Sequence, residues 1–326
     1  MIEITGLTKR FGKLMALDSL SLSIGPGEIF GFIGPNGAGK STTMKILACL
    51  LKQDSGEAIV CGKNVRTDAD AIRRVVGYMP DFLGVYDDLT VDEYLQFFAA
   101  AFEVPRARRR AVIDQVLELT DLTEKKHAMV DSLSRGMQQR LGVARVLIHE
   151  PQVLLLDEPA SGLDPRARIE MRSLLIELRK MGKSLMVSSH ILSELAEMCT
   201  SIGIIERGKL LYAGSIEDAY AKVRSAALDA QPGEGTSVGE RIEVVLQADS
   251  AEATRLADKL GGDPRIAGVK AGPSRLTVDL RADAGADGHH FLIEAILHNG
   301  GRIHSFAPVE VKLEDAFLKL TTGALQ

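Results

Sequence analysis

The sequence predicts an α/β fold: a parallel sheet with antiparallel strands ahead of it, a helical insert, and a small α+β domain behind. Three observations predict this. An apolar run, Glu28 to Ile33, leads through a glycine-rich segment into a helix-compatible stretch from Thr42 to Leu51. Two short apolar runs, Val153 to Leu156 and Ser184 to Ser188, have the unbroken hydrophobicity of strands covered on both faces, and a helical pattern from Pro165 to Met181 lies between them. Near residues 225 to 240 the texture turns to Gly, Pro and polar residues, as in a linker.

The elements follow in order. Residues 1 to about 30 alternate apolar and polar (Ile2, Ile4; Leu20, Leu22, Ile24), with glycine turns expected at Gly6, Gly12 and Gly25. Gly56 to Cys61 reads as a further strand. Residues 90 to 145 read as helical: Thr90 followed three residues later by Glu93 is a capping box, and Leu95, Phe98, Ala99 and Phe102 recur at helical spacing as a core stripe. After the linker come strand 242–246, helix 251–260, strands 266–270 and 275–280, helix 291–298 and strand 302–307. The order βαββαβ is that of a ferredoxin-like domain.

Composition narrows the classes. At 326 residues the chain suggests two domains, and 45% apolar with 25% charged residues is a globular balance. A net charge of −5 leaves no broad basic field for DNA, so no nucleic acid is expected as a partner. The run Arg106, Arg108, Arg109, Arg110 fits a solvated helix face, or a contact with anionic lipid or nucleic acid. Three cysteines without paired or metal spacing suit a reducing cytosol, with Cys49 and Cys61 in apolar surroundings. No signal pattern and no stretch of about 18 uncharged apolar residues is present, so a membrane role needs a partner that spans the bilayer. The histidines at 289, 290, 298 and 304 have no Cys or carboxylate at ligand spacing, which argues against a metal site.

The chemistry gathers in the first 200 residues. Gly34-Pro35-Asn36-Gly37-Ala38-Gly39-Lys40-Ser41-Thr42 has the spacing of a phosphate-cradling loop between a strand and a helix. Its glycines let backbone N–H groups converge on phosphate oxygens, and the helix adds its positive dipole end. Lys40 would reach the β- and γ-phosphates, and Ser41 would ligate Mg²⁺. The buried strand Val153 to Leu156 ends in Asp157 and Glu158. Asp157 would help hold Mg²⁺ and Glu158 would polarise an attacking water, the alternative for such acids being an N-cap of the next helix. His190 follows the strand 184–188, at the carboxyl edge where ligands bind in open α/β sheets, so it is either a γ-phosphate contact or a structural histidine.

The phosphate loop, Leu133-Ser134-Arg135-Gly136 ahead of the acids, the Asp157–Glu158 pair, Ser161-Gly162-Leu163-Asp164 and His190 occur in one order. Together they resemble the nucleotide-binding subunit of ABC transporters over residues 1 to about 220. The resemblance implies ATP and Mg²⁺ as cofactors, ATP hydrolysis coupled to transport, and a head-to-tail dimer, homodimeric or of paralogues. In it each ATP lies between the loop of one chain and the Ser134–Gly136 segment of the other, with Asp164 at the seam. Phe11 matches the aromatic that stacks on adenine, unless it is core. It also implies an ATP-binding domain at 1–222 with a helical subdomain at about 85–150, while composition and element order place a linker at 223–240 and an accessory domain at 241–326.

Three departures from the family pattern stand out. Asp81 follows Tyr78-Met79-Pro80 where glutamine is usual; as a carboxylate it would still hold Mg²⁺. Arg135 replaces a glycine and Met137 a glutamine. These changes, with Tyr78 to Phe82 and the segment 313–319, resemble the subfamily that works with ABC-2-type permeases, often exporters. The chain would then sit in the cytoplasm, peripheral to the inner membrane face through its transmembrane permease, with residues 82–102 in the docking surface. The alternative is a soluble ABC-type regulatory ATPase with no transport role.

Overall fold

The structure is a computed structural model that describes residues 1–82, 84, 88–191, 195, 197–219, 238–281 and 289–308. They fall into two compact units, the first ending at Ala219.

In the first unit β1 (Ile2–Phe11) and β2 (Leu14–Ile24) form an antiparallel pair around Gly12, joined by β4 (Ser55–Val60) and β5 (Lys63–Asn64) in the order β2-β1-β4-β5. Gly6 is not a turn. It lies inside β1, at a register shift between Ile4 and Leu7. The reason is a close approach of two backbones: a Cβ on Gly56 would stand 2.2 Å from the Gly6 carbonyl oxygen.

The second sheet runs β10 (Lys209–Ser215), β9 (Ser201–Glu206), β3 (Ile29–Ile33), β8 (Ser184–Ser189), β7 (Val153–Asp157), β6 (Val76–Met79). Every pairing is parallel except β9 with β10. β3, β7 and β8 are buried along their whole length, as their apolar runs require. One core joins the two sheets, with Ile2, Leu7 and Leu20 packed beside Phe30, Phe32, Met44 and Leu155.

Helix α1 spans Lys40–Leu47, starting two residues earlier and ending four earlier than the sequence suggests. Cys49 adopts a left-handed backbone, φ 57°, which no helix continues through. After the short α2 (Ala69–Arg73), the insert contains α3 (Val91–Ala101), α4 (Arg106–Leu119) and α5 (Arg135–Leu147). Thr90 and Glu93 make the reciprocal capping box. Residues 120–134 are not helical throughout: Asp121 at φ 53° stops α4, and only two single 3₁₀ turns follow. The stripe on α3 is core, with Leu95 and Ala99 fully buried, Phe98 against Tyr94, and Phe102 stacked 4.2 Å from His149. Arg106, Arg108 and Arg110 lie on the exposed face of α4, and Arg108 pairs with Glu150 at 3.0 Å. Cys49 and Cys61 are partly buried, and burial raises both thiols. Helix α6 (Pro165–Lys180) bridges β7 to β8.

The second unit holds β11 (Val238–Leu246), α7 (Ser250–Leu260), β12 (Ile266–Gly272), β13 (Arg275–Arg281), α8 (His290–His298) and β14 (Ile303–Pro308). The antiparallel strand order β12-β13-β11-β14 is the ferredoxin-like one. Ile242, Val244, Leu276 and Val278 meet Leu256, Leu292 and Ile296 in a core of its own. β11 begins at Val238 because its ladder with β13 extends to the Val238–Arg281 pair. The rest of the expected linker, and the segment 313–319, lie outside the described residues. His289 bonds Glu240 at 2.7 Å. Among the described residues no three His, Cys, Asp or Glu side chains are grouped to hold a metal.

Candidate functional site

Strand β3 delivers the chain to the carboxyl edge of the sheet, between the ends of β8 and β9. Only glycine can make the exit: a Cβ on Gly34 would lie 2.3 Å from the Ile205 carbonyl oxygen. At the far end Gly39 adopts φ 115°, where a Cβ would meet the Ala16 carbonyl oxygen at 2.7 Å. Between them Pro35, Asn36 and Gly37 are exposed, while Ala38 is buried. Ser41 and Thr42 occupy the first turn of α1, whose N-terminus has no side-chain cap, so its amides are free for an anion.

Lys40 is 6% exposed. Its Nζ donates to the Gly34 carbonyl at 2.6 Å and the Pro35 carbonyl at 3.3 Å, and stands 3.3 Å from Glu158 Oε1. The other carboxylate oxygen, Oε2, lies 2.9 Å from His190 Nδ1. One buried carboxylate thus bridges the loop lysine and the histidine. Glu158 itself sits at φ 51°, a left-handed turn straight after β7. Asp157, 2% exposed, ends the strand. Ser188 on β8 touches both acids: its hydroxyl donates to Asp157 Oδ1 at 2.6 Å and accepts the Glu158 backbone N–H at 2.9 Å. Neither acid caps the next helix. That task falls to Asp164, which accepts from the Ala167 N–H at 3.0 Å.

Asp81 follows β6 at the same edge. Its carboxyl is pushed above the usual aspartate range, first by partial withdrawal from water and then by Asp157 and Glu158, while Arg135 and His190 pull it back down. Burial, then Asp157 and Asp81, raises the Tyr78 phenol. These shifts mark a concentration of negative charge around β6 and β7, which favours a cation. The oxygen donors at Ser41, Asp157 and Asp81 suit a hard divalent ion, which takes few protein ligands when phosphates complete its shell.

Other residues singled out by sequence are held by contacts of their own. Ser134 is exposed at the N-cap of α5 and accepts from the Met137 N–H at 3.3 Å. Gly136 faces Ala167, and the Arg135 guanidinium covers Gly162, where a Cβ would stand 2.5 Å from its Cζ. Among the described residues neither Ser134 nor Gly136 hydrogen-bonds to the 34–42 loop. Phe11 is 48% exposed at the end of β1, with Lys9 Nζ 5.5 Å over its ring. Ser188 is the residue the sequence does not flag. The available signal is a hydroxyl pair, Ser188 and Ser189, that follows the apolar Leu185 to Val187 just before His190.

Residues 17–161 match the family model described as "ABC transporter". A Bacillus subtilis protein named as an uncharacterized ABC transporter ATP-binding protein is 38% identical over 219 residues, 67% of this chain and 71% of that one. The bacitracin transport ATP-binding protein of Bacillus licheniformis is 40% identical over 212 residues, 65% of this chain and 68% of that one. The Nod factor export ATP-binding protein of Ralstonia nicotianae is 38% identical over 214 residues, 66% and 67% of the two chains. Among solved structures, a dimeric ATP-binding cassette in a post-hydrolysis state with ADP and Pi superposes with TM-score 0.60 at 26% identity, covering 66% of this chain and 99% of that one. A Clostridium perfringens cassette described as part of an ABC transporter complex gives TM-score 0.62 at 26% identity, covering 71% and 94%. With the loop, the acids and the histidine converging on one sheet edge, these likenesses lead to one conclusion: the chain belongs to the ATP-binding subunits of ABC transporters.

Proposed function

We propose that this ATPase subunit drives export, with two chains, identical or paralogous, joined head to tail on the cytoplasmic face of an ABC-2-type permease. The observation that carries the reading is the Glu158 carboxylate held between Lys40 and His190 beside the glycine loop. Loop amides and Lys40 bind the triphosphate, and the phosphate oxygens compete with Glu158 for the Lys40 ammonium. Glu158 Oε1 is then free to take a proton from water, while His190 keeps Oε2 oriented. Bound Mg²⁺ supplies charge neutralisation across the phosphates, and Ser41, Asp157 and Asp81 are the residues that would hold it. Ser134 and Gly136 of the second chain close the pocket with the exposed start of α5. Exposed Phe11 offers its face to the adenine, a contact worth about 1–3 kcal/mol in nucleic-acid systems.

A two-chain site has a kinetic signature. Turnover per chain falls on dilution, as dimers part, and recovers on concentration. A specific rate constant over a hundredfold dilution contradicts the shared pocket. The named relatives that transport bacitracin or export Nod factor support the export assignment. Among the described residues no helix is long and apolar enough to cross a membrane, and the membrane protein recovered with this chain in mild detergent checks the permease class.

Asp81 supplies a further test. Without a cation its charge repels Asp157 and Glu158; with one it is attracted. Asp81→Gln is therefore expected to bind metal-free ATP more tightly and Mg-ATP less tightly. The ratio of the two affinities should fall by about fivefold, the equivalent of about 1 kcal/mol for a partly screened unit charge. An unchanged ratio removes Asp81 from the metal's surroundings.

A further inference from the structure

We infer that Ser188 is a positioning residue for ATP turnover, acting through Asp157 and Glu158 without touching substrate. The inference rests on the roles proposed for those two acids. Ser188 is fully buried at the carboxyl end of β8, paired with Asp157 across the sheet. A serine hydroxyl has one hydrogen to give and lone pairs to receive. The Glu158 backbone N–H can only donate, so the hydroxyl receives it and turns its own hydrogen to Asp157 Oδ1. Both bonds are satisfied in one sense only, and that sense fixes the carboxylate of one acid against the backbone of the next.

Two features make this more than routine satisfaction of a buried hydroxyl. The partner carboxylate accepts at 2.6 Å, the short range of a charge-assisted bond. The partner amide belongs to a residue held in the left-handed region, φ 51°, which a glutamate does not favour. That turn aims the Glu158 side chain back over the loop toward Lys40 and His190. His190 stands two residues beyond Ser188, so one strand end holds the backbone of Glu158 and the tip of its side chain. Supporting partners of this kind typically change metal affinity or activity by about 10–100-fold when removed.

The test uses the full chain with a fluorescent ATP analogue, read without and with Mg²⁺, alongside steady-state ATPase. Ser188→Ala is expected to bind the analogue as wild type does in EDTA. The Mg²⁺ concentration for half-maximal tightening of binding should rise about tenfold or more, and kcat should fall about 10–100-fold with KM changing less than about threefold. Ser188→Thr, which keeps the hydroxyl, should recover most of both. Wild-type kcat and Mg²⁺ dependence in Ser188→Ala overturns the inference. So does metal-free binding that falls in step with kcat, or an equal loss in Ser188→Thr, because each reports packing rather than positioning. A parallel Glu158→Gln chain separates the two levels. If it turns over normally, the acid assignment fails; if it is dead while Ser188→Ala is normal, only the role of Ser188 fails.

Discussion

Glu158→Gln abolishes steady-state hydrolysis while leaving ATP bound. The substitution keeps volume and one carbonyl oxygen, so Lys40 retains an acceptor at 3.3 Å and the φ 51° turn is unaffected. What disappears is the negative charge, and with it the basicity of Oε1, since an amide carbonyl oxygen does not take up a proton from water. General-base catalysis contributes about 10²- to 10⁴-fold, and the rate should fall by that range. Because binding persists and the step that releases it does not, the chain should collect as a dimer with trapped ATP. Size-exclusion chromatography with nucleotide quantified in the dimer peak reads this directly. A variant that hydrolyses ATP at the wild-type rate removes Glu158 from the chemistry.

Lys40→Ala should act on binding rather than on the chemical step. Lys40 is the buried cation of the loop, and the substitution also strips Glu158 of the charge facing Oε1. Removing one partner of a buried ion pair costs about 3–5 kcal/mol, because the other charge stays buried and uncompensated. His190 offers Glu158 part of a replacement through Oε2, so the lower end applies to stability. For a triphosphate that loses its main cation, affinity should drop by about 100-fold or more. Titration with a fluorescent nucleotide measures it, and affinity within about threefold of wild type contradicts the assignment.

Much of the architecture is legible in the sequence because it is written locally. Alternation marks β1, β2, β11 and β13; unbroken apolar runs mark β3, β7 and β8; Thr90 with Glu93 marks the start of α3. The loop and the acid pair are legible because their spacing follows from one strand and one turn. Features made by distant contacts are not. Gly6 reads as a turn until Gly56 is brought against it. Cys49 ends α1 in a conformation its residue type does not advertise. The run Thr123 to Lys126 carries no breaker, yet it follows the stop at Asp121 and forms a single turn. The hydroxyl of Ser188 matters only because β7 lies beside β8, 31 residues away in the chain. Arg135 covers Gly162 by the same kind of tertiary accident.

The order of strands in the second sheet has a consequence for how this protein is made. β3, which carries the glycine loop, is flanked by β8 and β9, both synthesised far later. During translation its five residues, destined for complete burial, leave the ribosome about 170 residues before the second neighbour does. At about 5–20 residues per second that delay is about 9–34 s. Until β8 emerges, about 155 residues after β3, this apolar, β-prone segment has no edge to join, and one side stays open until β9 follows, so the nascent polypeptide is a natural client for chaperones. Competence for nucleotide therefore arrives abruptly and late, once Glu206 has emerged and the central strand is enclosed.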